Sequence, residues 1–318
     1  MAGQVWAVNS LGGYFHSENL SQKLREIVNP LCKFRQFCDI KDASMQGKRK
    51  GSVFHWDVYG NVATQGTTLT ETTAMPETSA PIYQGTLTIT EAGNSVPYSG
   101  KLDNLSQFPV MEIVRLSLKR DAAKFFDIQV AAQMSSTYLR AAPAGSGTSS
   151  TAVTFTTNGT VTNTATVAFS AAHCRAIIDW MSERNIPPFE GGDYFAITYP
   201  TTITSFYSSL EDIYQYTPEG FKMIKSGEIG RYYESRWIKH TDAAVAKDGT
   251  TYTDWIYFTG EDVVAEAICV PEEIRAKIPS DYGRSRGVAW YFLGGHGLTH
   301  TGAMNPDDCR VVRWCSKA

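Results

Sequence analysis

Residues 88–110 read TITEAGNSVPYSGKLDNLSQFPV, and the way this stretch folds decides the rest. It opens as an alternating strand with Ile89 between Thr88 and Thr90, then meets Gly93 and Pro97, which predict a break. Pro109 follows, with its φ pre-set for a first helical turn. From there to about Leu139 the chain holds no glycine and no further proline. Val110, Ile113, Val114, Leu118, Ala122, Phe125, Ala132 and Leu139 keep helical spacing, and Arg115, Lys119 and Asp127 fall off that stripe. The expectation is a single rod over about 109–140, roughly 45 Å long at 1.5 Å per residue.

Upstream, residues 50–60 read KGSVFHWDVYG, with Phe54, Trp56 and Val58 on one face and His55, Asp57 and Tyr59 on the other. Their expected partner is YQGTLTITEAG at 83–93, where Leu87 and Ile89 alternate with threonines. Between the two lies NVATQGTTLTETTAMPETSAPI, rich in threonine and poor in core formers. A link of that length is unusual inside a compact domain, and a two-stranded arm is marginal alone in water. An ordered arm of this kind needs a surface outside its own domain, which points to a neighbouring subunit.

Charge is uneven along the chain. Residues 1–50 carry eight Lys or Arg against four acids, a net of +4, whereas 51–100 carry only Asp57, Glu71, Glu77 and Glu91, a net of −4 with no lysine or arginine. Such blocks either contact one another or are two solvated stretches. The whole chain of 318 residues has a net charge of −3, so nucleic-acid binding driven by overall charge is excluded, though not a local basic surface. With 42% hydrophobic residues the chain suits a substantial core. The N-terminus MAGQVWAVNSLGG lacks the pattern of a secretory signal, and no apolar run is long enough to span a membrane. Cys32, Cys38, Cys174, Cys269, Cys309 and Cys315 are therefore expected as reduced, small buried hydrophobes.

Elsewhere the pattern is mixed. Residues 17–34 (SENLSQKLREIVNPLCKF) suggest a short amphipathic helix stopped by Asn29-Pro30. A Gly/Ser linker follows the long helix, then a hairpin candidate with Asn158-Gly159 at a type I′ turn. Ser170 caps AAHCRAIIDWMSERN, whose Cys174, Ile177, Ile178 and Met181 share a face. GGDYFAITYP reads as a buried strand, TTITSFYSSLEDIYQYT as a helix, and GEIGRYYESRWIKH, DWIYFTGEDVVAEAIC, RGVAWYFLGGHGLTHTG and CRVVRWC as strands.

The search for chemistry returns little. There is no phosphate-binding loop, no dinucleotide fingerprint and no nucleophile elbow. His296 and His300 in GGHGLTH have a ligand-like spacing of four but sit among glycines in an expected loop, with no third ligand near. His173 and Cys174 are adjacent, so on a helix they face apart. Three Asn-x-Ser/Thr sequons, at Asn19, Asn104 and Asn158, matter only in a secreted protein. No catalytic, cofactor or metal residue is assigned.

The order of parts resembles the major capsid proteins of tailed phages, and more closely the family typified by coliphage N-four. The phrase GNSVPYSGKLDNLS at 93–106 is similar to that family's GNAVPYTGKLEDLS, and NIPPFEGGDYFAITYP, GEIGRYYES and TGEDVVAEAI support it. The resemblance covers most of 50–318 and implies an α+β, Hong Kong 97-type capsid fold. Its parts would be an N-terminal arm (1–49), an extended loop (50–98), a peripheral domain with the spine helix and a Thr/Gly-rich segment (99–169), an axial domain (170–300) and a C-terminal return (301–318). The implied function is a non-enzymatic major capsid protein forming hexamers and pentamers of an icosahedral head around double-stranded DNA. Assembly would take place in the bacterial host cytoplasm, away from any membrane, with portal, scaffolding and decoration proteins as further partners. Candidate subunit-interface residues are Trp56, Asp57, Glu71 and Glu77 on the loop and Arg115, Lys119, Arg120 and Lys124 on the helix; the basic four are equally candidates to face packaged DNA. The alternatives are an encapsulin-type compartment shell and, from another class, a hydrolase using His296 or His300.

Overall fold

The computed structural model describes residues 33–42, 51–60, 62, 66–72, 74–144, 152–161, 167–189, 191–206, 231–242, 254–279, 281–302 and 305–316. The helix expected at 17–34 falls almost wholly outside them.

The stretch at 88–110 is decided by strand pairing. Strand β1 (Cys38–Asp42) comes first, and β2 (Val53–Tyr59) and β3 (Ile82–Thr88) then form a hairpin in which Phe54 faces Leu87 and Trp56 faces Gly85. Strand β4 (Thr90–Ser99) starts two residues after β3 ends and runs through both Gly93 and Pro97. The expected break is therefore absent. β4 lies at a sheet edge, where a proline needs no ladder partner for its missing N–H, and Gly93 lets the Trp290 carbonyl oxygen approach, since a Cβ there would stand 2.7 Å from it. The chain instead changes direction at Ile89, which is buried.

Helix α1 (Gly100–Leu105) is capped by Ser99, whose hydroxyl accepts from the Leu102 N–H at 3.2 Å. Helix α2 (Val110–Ser135) has 26 residues, about 39 Å. It stops short of the expected 140 because Ser135 and Ser136 hydroxyls bond back to the Ala132 and Gln133 carbonyls, Thr137 donates to Val311 O at 2.6 Å, and Leu139 enters a strand. Its buried stripe is Val110, Val114, Leu118, Ala122, Phe126, Val130, Ala131 and Met134. Two expectations are corrected: Ala132 is exposed, and Asp127, expected off the stripe, is buried.

The remaining elements are β5 (Leu139–Pro143), β6 (Val153–Thr156), α3 (Ala171–Glu183), β7 (Tyr194–Thr198), β8 (Arg231–Tyr232), β9 (Ser235–Lys239), β10 (Asp254–Thr259), β11 (Val264–Ala276), β12 (Ser285–Leu298) and β13 (Val311–Ser316). Residues 200–206 are helical, and the rest of that expected helix lies outside the described residues. Four strands pair in the order β1-β11-β12-β4, and seven in the order β6-β5-β13-β10-β7-β9-β8. Pairing thus crosses the boundary expected at residue 170. β11 and β12 join β4 beside α2, while β5 and β6 join the sheet of β7, β9 and β10. The expected type I′ turn does not form. Gly159 has φ +76°, but Asn158 stays out of the left-handed region and its side chain accepts from the Thr160 N–H and hydroxyl.

Helices α2 and α3 pack on different sheets. The α2 stripe packs on Val288, Trp290 and Phe292 of β12. The apolar face of α3 packs on Tyr194, Ile256, Phe258 and Trp314 of the larger sheet. A third cluster joins the two bodies through Phe34, Phe37, Val130, Met134, Trp255 and Tyr257. Each such fully buried side chain contributes about 1.5–3 kcal/mol of transfer free energy.

Candidate functional site

The hairpin is the most exposed part of the fold, and its base is seated rather than free. Leu87 is buried, and the Trp56 indole covers Gly85 and donates from Nε1 to Thr299 O at 3.0 Å. What lets the hairpin approach is the glycine run of β12. A Cβ at Gly295 would fall on the Thr88 carbonyl oxygen, and one at Gly297 would stand 3.0 Å from Leu87 Cβ. His296, expected in a loop among glycines, therefore sits within a strand whose glycines are a landing for β3. Beyond this seat, the described residues of 66–80 are exposed throughout.

The sequence-derived interface residues fall in three places. Trp56 faces its own β12, and Asp57 is exposed and accepts from Gln84 Nε2 at 3.4 Å. Glu71 and Glu77 stand at the exposed tip together with Leu69 and Met75. Arg115 and Lys119 are exposed on α2, with Arg120 and Lys124 half-buried. Within the chain the tip and the helix are not brought together: among the described residues no ion pair joins Glu71 or Glu77 to Arg115 or Lys119. A second exposed apolar tip, Ile278 and Tyr282, lies at the β11–β12 turn, where Asp281, Tyr282 and Gly283 all have positive φ.

Sequence reasoning missed two polar clasps, a buried one at Phe34 and a partly exposed one at Arg35. The Phe34 N–H donates to Asp127 Oδ1 at 2.6 Å, and His240 Nε2 lies 2.6 Å from Asp127 Oδ2. Arg35 binds Glu266 through Nε at 3.2 Å and Nη2 at 2.8 Å, and reaches Glu272 through Nη1 at 2.8 Å. Its guanidinium also lies over the Phe126 ring. Arg35, one of the basic residues of the 1–50 stretch, thus finds its acids on β11. The one available signal was an aspartate in the middle of an otherwise apolar helix face.

Burial pushes the Glu266 carboxyl up, but His296 and Arg35 outweigh it and hold it below its ordinary 4.5. A carboxylate with a depressed folded pKa stabilises fully above that ordinary value, and the contribution is lost as pH falls through the folded one. Glu266→Gln should therefore flatten the acid limb of stability as pH falls below the ordinary 4.5, measured as denaturation midpoint against pH.

The described cysteines are not activated as nucleophiles. Burial pushes the Cys38 and Cys174 thiols up to about 12 and Cys309 in the same direction, opposite to what a nucleophile requires. The free cysteines among the described residues are buried except the half-buried Cys38. His173 packs on Trp314, and burial lowers it to about 4, while Cys174 Sγ sits 3.6 Å from Ser235 Oγ. His300 Nε2 lies 3.8 Å from Asp262. No group of three or more metal-ligating side chains occurs among the described residues, nor does any helix there long and apolar enough to cross a membrane.

No protein-family model matches the chain, and no curated relative matches it. Solved structures do. The head structure of the Helicobacter pylori bacteriophage KHP40 aligns with a TM-score of 0.69 at 12% identity, covering 95% of each chain. The capsid of cyanophage Pam1 aligns at 0.67 and 14% identity, covering 98% of each chain. The capsid of Ralstonia phage GP4 aligns at 0.65 and 14% identity, again covering 98% of each. The chain is thus followed nearly end to end at identities where only the backbone path is shared, and it has the fold of bacteriophage capsid proteins.

Proposed function

We propose that this protein is the major capsid protein of a tailed bacteriophage, assembling into the hexamers and pentamers of an icosahedral head around double-stranded DNA. The observation that carries this reading is the projecting hairpin with a wholly exposed tip, on a chain that follows phage capsid structures over nearly its whole length. A Hong Kong 97-type arrangement, near the family typified by coliphage N-four, would make β2–β3 the extended loop and α2 the spine helix. The role is structural rather than catalytic. The protein would occupy the virion after assembly in the host cytoplasm, with portal, scaffolding and decoration proteins and non-specifically held DNA as partners. Interface contacts are assigned to Trp56, Asp57, Glu71 and Glu77 on the loop and to Arg115, Lys119, Arg120 and Lys124 on the helix. Many copies of a modest interface sum to a stable shell.

Negative-stain electron microscopy of the protein expressed alone in bacteria tests the reading: closed shells, tubes or six-fold rings are expected, and a chain that stays monomeric even with its phage's other head proteins present rules it out. Residues 51–100 contain no lysine, so the loop offers no amine for an isopeptide link. A reducing dodecyl-sulfate gel of assembled particles should show one band near 35.1 kDa, and a ladder would refute the non-covalent shell.

A further inference from the structure

The loop joining β8 to β9 consists of Tyr233 and Glu234, with Tyr232 opposite Ser235 across its base. Both loop residues have positive φ, +44° and +57°, the pattern of a type I′ turn. Asn-Gly adopts that turn freely, whereas tyrosine and glutamate are held there against the clash of Cβ with the backbone. The chain thus keeps a strained pair where an unstrained one would close the same hairpin.

Burial does not offset the strain. Tyr233 is 45% exposed, and Glu234 is exposed as well. What the fold supplies is orientation. The Tyr233 hydroxyl donates to Asp179 Oδ1 at 2.6 Å. The Arg175 guanidinium lies 5.8 Å from the ring centroids of both Tyr232 and Tyr233, and its Nε donates to the Tyr232 hydroxyl at 3.0 Å. Arg175 and Asp179 stand one helical turn apart on the exposed face of α3. Contacts this exposed add little stability, but they aim the ring. A strained backbone that presents an aimed, solvent-facing tyrosine beside arginine has the form of a contact surface.

Beside the turn, Arg231 and Arg236 are each more than half exposed and share one buried carboxylate. Arg231 Nε lies 2.7 Å from Asp193 Oδ1, and Arg236 Nε donates to Oδ2 at 2.6 Å. Two guanidiniums on one acid leave a surplus positive charge. The turn carries the opposite sign, for Glu234 has no ion-pair partner among the described residues. Across the patch Arg175, Arg231 and Arg236 are balanced by Asp179, Asp193 and Glu234, so no net field draws nucleic acid. A neutral patch with both signs is complementary to itself: the acid of one turn fits the surplus cation of another. β8 is also the outer strand of its sheet, which leaves this side open to a second molecule.

Resting on the capsid reading, we propose that the Tyr233-Glu234 turn is a contact between neighbouring copies of this chain, with Glu234 of one copy meeting Arg231 and Arg236 of the next. The contact runs head to tail, as closure of a ring requires, and it uses neither the β2–β3 hairpin nor α2.

The test compares the full native chain with the Tyr233→Asn, Glu234→Gly double variant, which keeps the hairpin and removes the strain. Below the concentration at which particles form, the variant should melt about 2–4 °C above the native chain. The protein concentration it needs for particles should nevertheless rise about tenfold or more. Glu234→Arg, which leaves the turn as strained as before, should raise that concentration by a similar factor. A relaxed variant that assembles at the native concentration overturns the contact and leaves the capsid reading in place, as does native assembly of Glu234→Arg. A relaxed variant that melts at or below the native temperature also overturns it, because Asp179 and Arg175 then account for the tyrosine within one chain. A native chain that forms no particle under any condition overturns the capsid reading and the contact with it.

Discussion

Replacing Asp127 by alanine is expected to destabilise the fold by about 3–5 kcal/mol. The carboxylate is 1% exposed and lies where α2 meets the larger sheet. It accepts from Phe34 N–H and faces His240 Nε2, so its removal leaves both polar groups in a closed apolar pocket with Trp255 and Tyr257 around Phe34. An unsatisfied buried group loses its full hydration without compensation. Because domains are held by only about 5–15 kcal/mol in total, the variant should unfold at a much lower denaturant concentration. Asp127→Asn keeps one acceptor oxygen for the Phe34 N–H but loses the charge and one acceptor, and should fall between. A midpoint for the alanine variant within about 0.5 kcal/mol of native, the range of neutral surface changes, would show that the clasp holds nothing.

The second large effect is expected at Gly295. Any side chain there meets the Thr88 carbonyl oxygen and stands 2.9 Å from Leu87 Cδ1. Backbone cannot rotate away as a flexible side chain can, so Gly295→Val must lift the base of the hairpin off β12. The immediate cost is about 3 kcal/mol, the upper part of the usual range for overpacking. The larger consequence falls on assembly. Leu87 loses its cover, Trp56 loses the Thr299 carbonyl, and the tip is no longer aimed. Shell formation should cease even at temperatures where the variant remains folded by circular dichroism. Gly66 is the control: it has open space around it and no positive φ, so Gly66→Ala should assemble as the native chain does. Assembly of Gly295→Val at the native yield would show that hairpin orientation does not depend on the seat.

Much of the architecture was legible because it is local. Alternation at Phe54, Trp56 and Val58, the cap at Ser170 and the glycine-free run after Pro109 each follow from short-range preferences, and each element formed there, the long helix ending early at Ser135. The exposed tip at 66–80 was also readable, since a long threonine-rich stretch with few core formers cannot bury itself. Errors came where a partner distant in sequence outweighed a local signal. Pro97 and Gly93 look like breakers, yet as part of an edge strand against β12 they break nothing. GGHG looks like a loop, yet β11 pairs with all four of its residues and holds it as strand. The end of α2 depended on Thr137 finding Val311, 174 residues away.

The sequence by itself thus determined the hairpin strands, the long helix and the exposed tip, and the contrast of an acidic hairpin with a basic beginning. Tertiary structure alone decided where the charges are spent. Arg35 went to Glu266 and Glu272, and Asp127 to Phe34 and His240. The reason is physical: a hydrophobic pattern repeats every two or three to four residues and can be read along the chain. An ion pair is set by which strands a sheet brings side by side, and here those strands lie more than two hundred residues apart.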